Sequence, residues 1–260
     1  MSFMDTFNYY YYDQADTRVK GLLFMDSPWP MILILFSYLY FVFQCGPRFM
    51  KNRPAYELKS FIKFYNIFQI ISNAYLVKEI LAVHPDAVAL RCMPIDYSNN
   101  PDAVRMVRMT YFVFLLKIVD LIETGMFVLR KKYNQISWLH LYHHFTTALV
   151  AWISTRYIAG GMAVFYPAMN CSVHVIMYTY YLLSTTDSLK RYVLPFKRYV
   201  TIIQMVQFVI LIFHALIATF PSCAVPKLPA YLMILDVLFN FNLFYNFYKR
   251  TYLTPKKKKE

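Results

Sequence analysis

Apolar residues run along this chain in seven long stretches, separated by short polar connections that are mostly basic. The stretches fall at about 28–46, 62–84, 111–129, 136–157, 162–184, 199–220 and 229–249. Each approaches the roughly 20 residues that cross a bilayer as a helix. Lipid offers no partner to an open backbone, so helix is the state the pattern predicts. No linker is long enough to separate two domains. The expectation is an all-α polytopic membrane protein of seven transmembrane helices, with residues 1–260 forming one domain. The first 27 residues are acidic and tyrosine-rich, with four consecutive tyrosines at Tyr9–Tyr12. The first apolar run begins too far in for a cleaved signal peptide, so span one reads as an uncleaved anchor.

Composition agrees with the pattern: the 260 residues are 58% hydrophobic and 19% aromatic with only 5 glycines, which excludes an ordinary soluble domain. A net charge of +13 would suggest nucleic acid until its placement is considered. Arg48, Lys51, Arg53 and Lys59 lie between spans one and two, and Arg130, Lys131 and Lys132 between three and four. Lys190, Arg191, Lys197 and Arg198 lie between five and six, and Lys249, Arg250 and Lys256 to Lys259 follow span seven. The alternate loops mix both signs. Positive-inside logic therefore predicts a luminal N-terminus and a cytosolic C-terminus, with no nucleic-acid partner.

Lys257 and Lys258, four and three places from the end, fit a dilysine retrieval signal of the endoplasmic reticulum membrane. A generic basic tail against anionic headgroups explains them equally well. Cys45 and Cys171 fall inside spans, where small buried hydrophobes are the usual reading. Cys92 and Cys223 fall in predicted luminal loops, where oxidation is permitted, and a Cys92–Cys223 disulfide is expected. Asn170-Cys-Ser matches a glycosylation pattern but lies within a span and is discounted.

Ionisable residues inside membrane helices are costly and mark functional sites. Span four carries His140-Leu-Tyr-His143-His144, whose i, i+3, i+4 spacing puts three imidazoles on one stripe, where they are expected to converge. Span three carries Lys117, Asp120, Glu123 and Thr124, either an ion-pair cluster or part of a reaction centre. Span five aligns Asn170, His174, Met177 and Tyr181 at spacings of four, three and four, a hydrogen-bond node or a second catalytic stripe. Span six opens with Gln204 and Gln207, which can orient a histidine or a carbonyl or simply glue helices. His84 and His214 have no polar stripe around them and stay unassigned. Counted from the predicted cytosolic boundaries at ~1.5 Å per residue, His143, Asp120, His174 and Gln204 share one layer roughly 10 to 15 Å deep. Arg130, Lys131 and Lys132, with Lys197, Arg198 and Arg250, would ring its mouth. An anionic head with an apolar tail, such as an acyl-coenzyme A thioester, suits that layout.

His-x-x-His-His first suggests a di-iron enzyme, but six histidines in all are too few for two irons. One metal would need help from Asp120 and Glu123; the reading adopted is metal-free, with no tightly bound cofactor. Histidines near neutral pH then serve as bases, acids or nucleophiles. A seven-span receptor would share the topology but open its site outward, and a lipid transporter would share the cavity without making bonds.

The chain resembles the very-long-chain fatty acid elongases of the ELO family, insect members included, over nearly its whole length. The matching motifs are Lys131-Lys132-x-x-Gln135-Ile-Ser-Trp-Leu139 before the histidine box, Asn170-x-x-x-His174-x-x-Met177-Tyr178-x-Tyr180-Tyr181, and Thr201-x-x-Gln204-x-x-Gln207-Phe208. One motif departs: the family pattern Lys-x-x-Glu-x-x-Asp-Thr stands here as Lys117-x-x-Asp120-x-x-Glu123-Thr124, with the two acids exchanged. The resemblance implies condensation of a long-chain acyl-CoA with malonyl-CoA to 3-oxoacyl-CoA, CO2 and CoA in the endoplasmic reticulum. It implies separate reductases and a dehydratase as partners in the cycle, and homo- or hetero-dimers with other elongases. His140, His143, His144, His174, Asn170, Lys117, Asp120 and Glu123 are then the expected catalytic group. Gln204, Gln207, Tyr178, Tyr181, Arg130, Lys131 and Lys132 are the expected substrate-binding group.

Overall fold

A computed structural model describes residues 2–254. Among them every regular element is helical. Seven long helices dominate: α1 (Trp29–Met50), α2 (Lys59–Val83), α3 (Pro101–Leu129), α4 (Trp138–Tyr157), α5 (Phe165–Ser184), α6 (Lys197–Thr219) and α7 (Lys227–Tyr248). Each expected apolar stretch has become one helix. The largest boundary difference is α3, which starts ten residues before the apolar run. Its first turns carry Asp102, Arg105 and Arg108, invisible to hydropathy, yet Asn100 caps them by accepting from the Asp102 and Ala103 N–H groups, with Pro101 at the first position.

Among the described residues, three helical runs suit a bilayer crossing by length and composition: Trp29–Met50, Asp187–Thr219 and Lys227–Leu253, which contain α1, α6 and α7. Helices α2 to α5 are diluted by polar side chains. These include Asn66, Gln69 and Asn73 on α2, Lys117 and Asp120 on α3, the histidines and Arg156 on α4, and Asn170 and His174 on α5. Most of these are buried against neighbouring helices, so their cost falls inside the protein rather than on its outer face.

Packing closes six helices into a ring. In order around it, α2 touches α3, α3 touches α4, α4 touches α7, α7 touches α6, α6 touches α5, and α5 returns to α2. Helix α1 lies outside the ring against α3. It widens by a π-turn at Phe41–Cys45, just before Gly46-Pro47, where the proline lacks an N–H for the helical ladder. Gly46 has no room for a Cβ, which would meet a Val128 side-chain carbon at 2.6 Å. Cys45 corrects an expectation: it is exposed, because the peripheral α1 turns that face away from the ring, whereas Cys171 on α5 is buried.

One end of the ring is heavily tied. Cys92 and Cys223 form a disulfide with Cα atoms 5.6 Å apart, joining the α2–α3 and α6–α7 connections. Met162 N–H donates to Met93 O at 2.9 Å. The N-terminal segment is no free tail: Tyr11, Val19 and Met25 pack with Ala148 and Trp152, and Trp152 Nε1 donates to Phe24 O at 2.9 Å. The buried Arg156 guanidinium donates to the carbonyls of Tyr11 and Met25 and lies over the Tyr11 ring. At the opposite end, Arg198 Nε donates to Tyr248 OH at 2.6 Å, and Tyr56 N–H reaches Leu129 O at 3.1 Å. Lys131, Lys132, Lys197 and Arg250 are exposed there. Lys257 and Lys258 lie outside the described residues.

Candidate active site

A cavity of about 190 Å³ runs inside the ring, walled mainly by α3 to α7. Lys117, His143, Asn170, Gln207, Asp236 and Asn240 line one part, and Ile95, Ile158, Met162 and Val225 line the part near the disulfide. From His143 to Ile158 the wall of α4 rises roughly 22 Å at ~1.5 Å per residue. The lining between is mostly apolar, broken by Thr147, Ser154 and Thr155 on α4, Thr110 on α3 and His214 on α6, whose ring stacks on Phe165 with centroids 3.8 Å apart. The result is a long slot with its charged groups, Lys117 and Asp236, gathered at one level.

The histidine box does not converge as one cluster. Ser137 caps α4 by accepting from His140 N–H at 3.2 Å, which sets the phase of the first turn. His140 and His144 then face α3, with ring centroids 4.2 Å apart. Thr124 Oγ1 lies 2.8 Å from His140 Nε2 and 3.0 Å from Tyr38 OH. Glu123 Oε2 lies 3.7 Å from His144 Nε2. His143, about 100° round the helix from His144, turns toward α7 and the cavity, flanked by Phe208 and Phe244. A shared stripe does not bring i+3 and i+4 side chains to one point, and here a different neighbour holds each. Among the described residues, no three His, Cys, Asp or Glu side chains gather closely enough to hold a metal ion.

A second constellation surrounds His174. Lys117 Nζ donates to Asp120 Oδ2 at 3.0 Å and lies 3.5 Å from His174 Nδ1. Both members of that ion pair are buried, a costly arrangement unless each is fully bonded. Gln69 supplies the missing bond, donating from Nε2 to Asp120 Oδ1 at 2.7 Å. Gln69 is in turn held by Asn73, whose amide donates to Gln69 Oε1 at 3.1 Å. With the acids in this order, Asp120 binds Lys117 and Glu123 lies beside His144. An ammonium only donates, so Nδ1 of His174 accepts and its proton resides on Nε2; the Asn170 atom 3.4 Å away is Nδ2, a second donor, and exchanging the two ends of that amide turns its otherwise unpartnered Oδ1 to the Nε2–H.

Of the residues singled out from sequence, His143, Lys117, Asn170 and Gln207 line the cavity. Asp120, His174, His140, His144 and Glu123 stand behind them as supports. Gln204 donates to Met177 Sδ at 3.2 Å and does not reach the cavity. Tyr178 and Tyr181 pack around Tyr65 as an aromatic wall. Arg130 is partly buried, and Lys131 and Lys132 are exposed on the basic end, away from the cavity lining.

Three polar residues of the site escaped the sequence reading. Gln69 has just been described. Asp236 and Asn240 on α7 both line the cavity, and Tyr142 OH donates to Asp236 Oδ1 at 3.0 Å. Asn240 Oδ1 lies 3.3 Å from His143 Nδ1. The signal was present: a carboxylate and an amide one turn apart in an apolar run follow the same rule that drew attention to Lys117 and Asp120.

Comparison with known proteins agrees with this architecture. Residues 23–260 match the family model described as ELO, the GNS1/SUR4 family. The chain is 38% identical over 246 residues to very long chain fatty acid elongase 4 of Macaca mulatta, covering 94% of this chain and 78% of that one. It is 37% identical over 247 residues to human very long chain fatty acid elongase 1, covering 94% and 88%. It is 34% identical over 243 residues to very long chain fatty acid elongase 7 of Drosophila melanogaster, covering 93% and 74%. The chain belongs to the ELO family.

Proposed function

We propose that the chain is a 3-oxoacyl-CoA synthase that joins a long-chain acyl-CoA to malonyl-CoA, the first step of fatty acid elongation. The observation that carries this reading is the slot itself: the His143 imidazole stands with Lys117, Asn170 and Asn240 at the polar level of a long, mostly apolar cavity. The names of the related elongases support the substrate class. His143 attacks the acyl thioester carbonyl, the C–S bond breaks, and CoA leaves as a thiolate that takes a proton from water. The acyl group remains on the imidazole nitrogen. Malonyl-CoA then loses CO2, and the electron pair of the broken C–C bond becomes an enolate carbanion. That carbon attacks the acyl carbon, the C–N bond breaks, and His143 is regenerated as 3-oxoacyl-CoA forms.

His174 acts in the second half, with Lys117 and Asn170 presenting donors to the enolate and the departing carboxylate. Thr124 and Glu123 orient His140 and His144, which pack beside His143. Gln207 carries an amide oxygen without a partner among the described residues. It is the expected acceptor for an N–H of the CoA arm beside the thioester, while Tyr178 and Tyr181 back His174 from outside the cavity lining. Arg130, Lys131 and Lys132 attract the CoA phosphates from the basic end. Seven crossings with a luminal N-terminus and cytosolic C-terminus follow from the charge pattern, and they put the disulfide on the oxidising side. The setting is the endoplasmic reticulum membrane, with the reductases and dehydratase of the cycle as neighbours and a dimer of elongases as the assembly.

Radiolabelled malonyl-CoA supplied with acyl-CoA to microsomes containing the chain tests the reading. Label in a product two carbons longer supports it. Uptake of acyl chains without label incorporation would assign the cavity to transport instead.

A further inference from the structure

His143 needs one defined tautomer if it is to attack as a nucleophile, and α7 supplies a device that fixes it. The Asn240 amide has two chemically different ends. Its Nδ2 faces two oxygens of Asp236: the backbone carbonyl at 3.0 Å and carboxylate Oδ2 at 3.2 Å. A backbone carbonyl only accepts, so the NH2 end must point there, and the orientation is settled by partners rather than by assumption. The carbonyl end, Oδ1, is therefore the one that meets His143 Nδ1 at 3.3 Å. An amide oxygen only accepts, so Nδ1 carries the proton and Nε2 is left with its lone pair. Behind the amide, Asp236 is steadied by Tyr142 OH on its other oxygen, Oδ1, at 3.0 Å. Tyr142 and His143 are sequence neighbours on α4, so the chain of bonds leaves α4, crosses to α7 and returns.

We infer that Asn240 and Asp236 are positioning residues that hold His143 with its proton on Nδ1 and Nε2 free for acyl transfer. This rests on the proposed role of His143 as acyl acceptor. The logic parallels other orienting groups behind catalytic histidines, where a wrong tautomer costs several orders of magnitude with the geometry intact. As Nε2 bonds to the acyl carbon, positive charge develops on the ring. The Nδ1–H···Oδ1 bond then strengthens, backed by the carboxylate one step further away.

The test measures CoA release from acyl-CoA alone, and complete condensation, for full-length protein in liposomes. Asn240→Leu keeps the size but removes the acceptor; Asn240→Asp keeps an acceptor; Asn242→Leu, on the exposed face of α7, controls for helix effects. His143→Ala gauges the underlying reading. Asn240→Leu is expected to lower kcat for CoA release about 100-fold with KM changed less than about threefold, a smaller loss than that of a charged orienter because the amide is neutral. Asn240→Asp should recover at least about a tenth of the wild-type kcat, and Asn242→Leu should match wild type. The inference is overturned if folded Asn240→Leu releases CoA at the wild-type rate while His143→Ala does not. It is also overturned if Asn240→Asp is as impaired as Asn240→Leu. Release that persists in His143→Ala would instead defeat the acyl-acceptor reading itself.

Discussion

His143 and His174 sit in one ring of helices, yet they are held in opposite ways. His174 is buried behind the cavity wall, with a lysine ammonium on Nδ1, so that Nε2 bears its proton. His143 is on the wall itself, with an amide oxygen on Nδ1, so that Nε2 is free. The first can only donate from Nε2, and the second can only attack or accept there. Two identical side chains thus acquire complementary roles from their neighbours on α3 and α7. The lesson is that the partner on the far nitrogen, not the histidine motif, sets the chemistry.

The sharpest way to break that comparison is to remove each imidazole and separate the two half-reactions. His143→Ala is expected to lower both CoA release from acyl-CoA and condensation by about 1,000-fold or more, as losses of covalent nucleophiles do. His174→Ala should spare CoA release within about tenfold while lowering condensation about 100-fold, the scale of general acid–base contributions. Equal losses in both steps for both variants would erase the distinction.

Disturbing what holds His174 should act on stability as well. Lys117→Met leaves Asp120 and its Gln69 bond in a buried pocket without the cation. Removing one partner of a buried pair costs about 3–5 kcal/mol. Thermal unfolding of the purified variant in detergent checks this, and an unchanged midpoint would show that the pair is dispensable. A milder change restores the order of acids in the family pattern. The double variant Asp120→Glu, Glu123→Asp should alter condensation by no more than about tenfold, because repositioning by one methylene leaves both pairings possible. CoA release should move less still, since His143 does not touch either acid. A larger effect on release than on condensation would link the α3 acids to the wrong histidine.

Much of this arrangement was legible in the residues. The seven helices follow from hydropathy because each apolar run is long and its loops are charged. The disulfide followed from loop placement, and the Lys117–Asp120 pair from helical spacing. What stayed hidden was non-local. The spacing of the histidine box specified a stripe, but only the packing of α3 and α7 decides that His140 and His144 turn one way and His143 the other. In the sequence the first 27 residues show only as an acidic, tyrosine-rich stretch ahead of span one. Its burial depends on Arg156, more than a hundred residues away, reaching the carbonyls of Tyr11 and Met25. Asp236 and Asn240 were readable by the same rule applied to α3, but a single acid and amide drew less notice than three charges together.

The central claim is that His143 takes the acyl group. The direct measurement is mass spectrometry of the intact protein and its peptides after incubation with acyl-CoA in the absence of malonyl-CoA. A mass increase equal to the acyl group, mapped to the peptide bearing His143, absent from His143→Ala and discharged by malonyl-CoA, is the predicted result. Condensation at full rate with no adduct on His143 at any time point would contradict it.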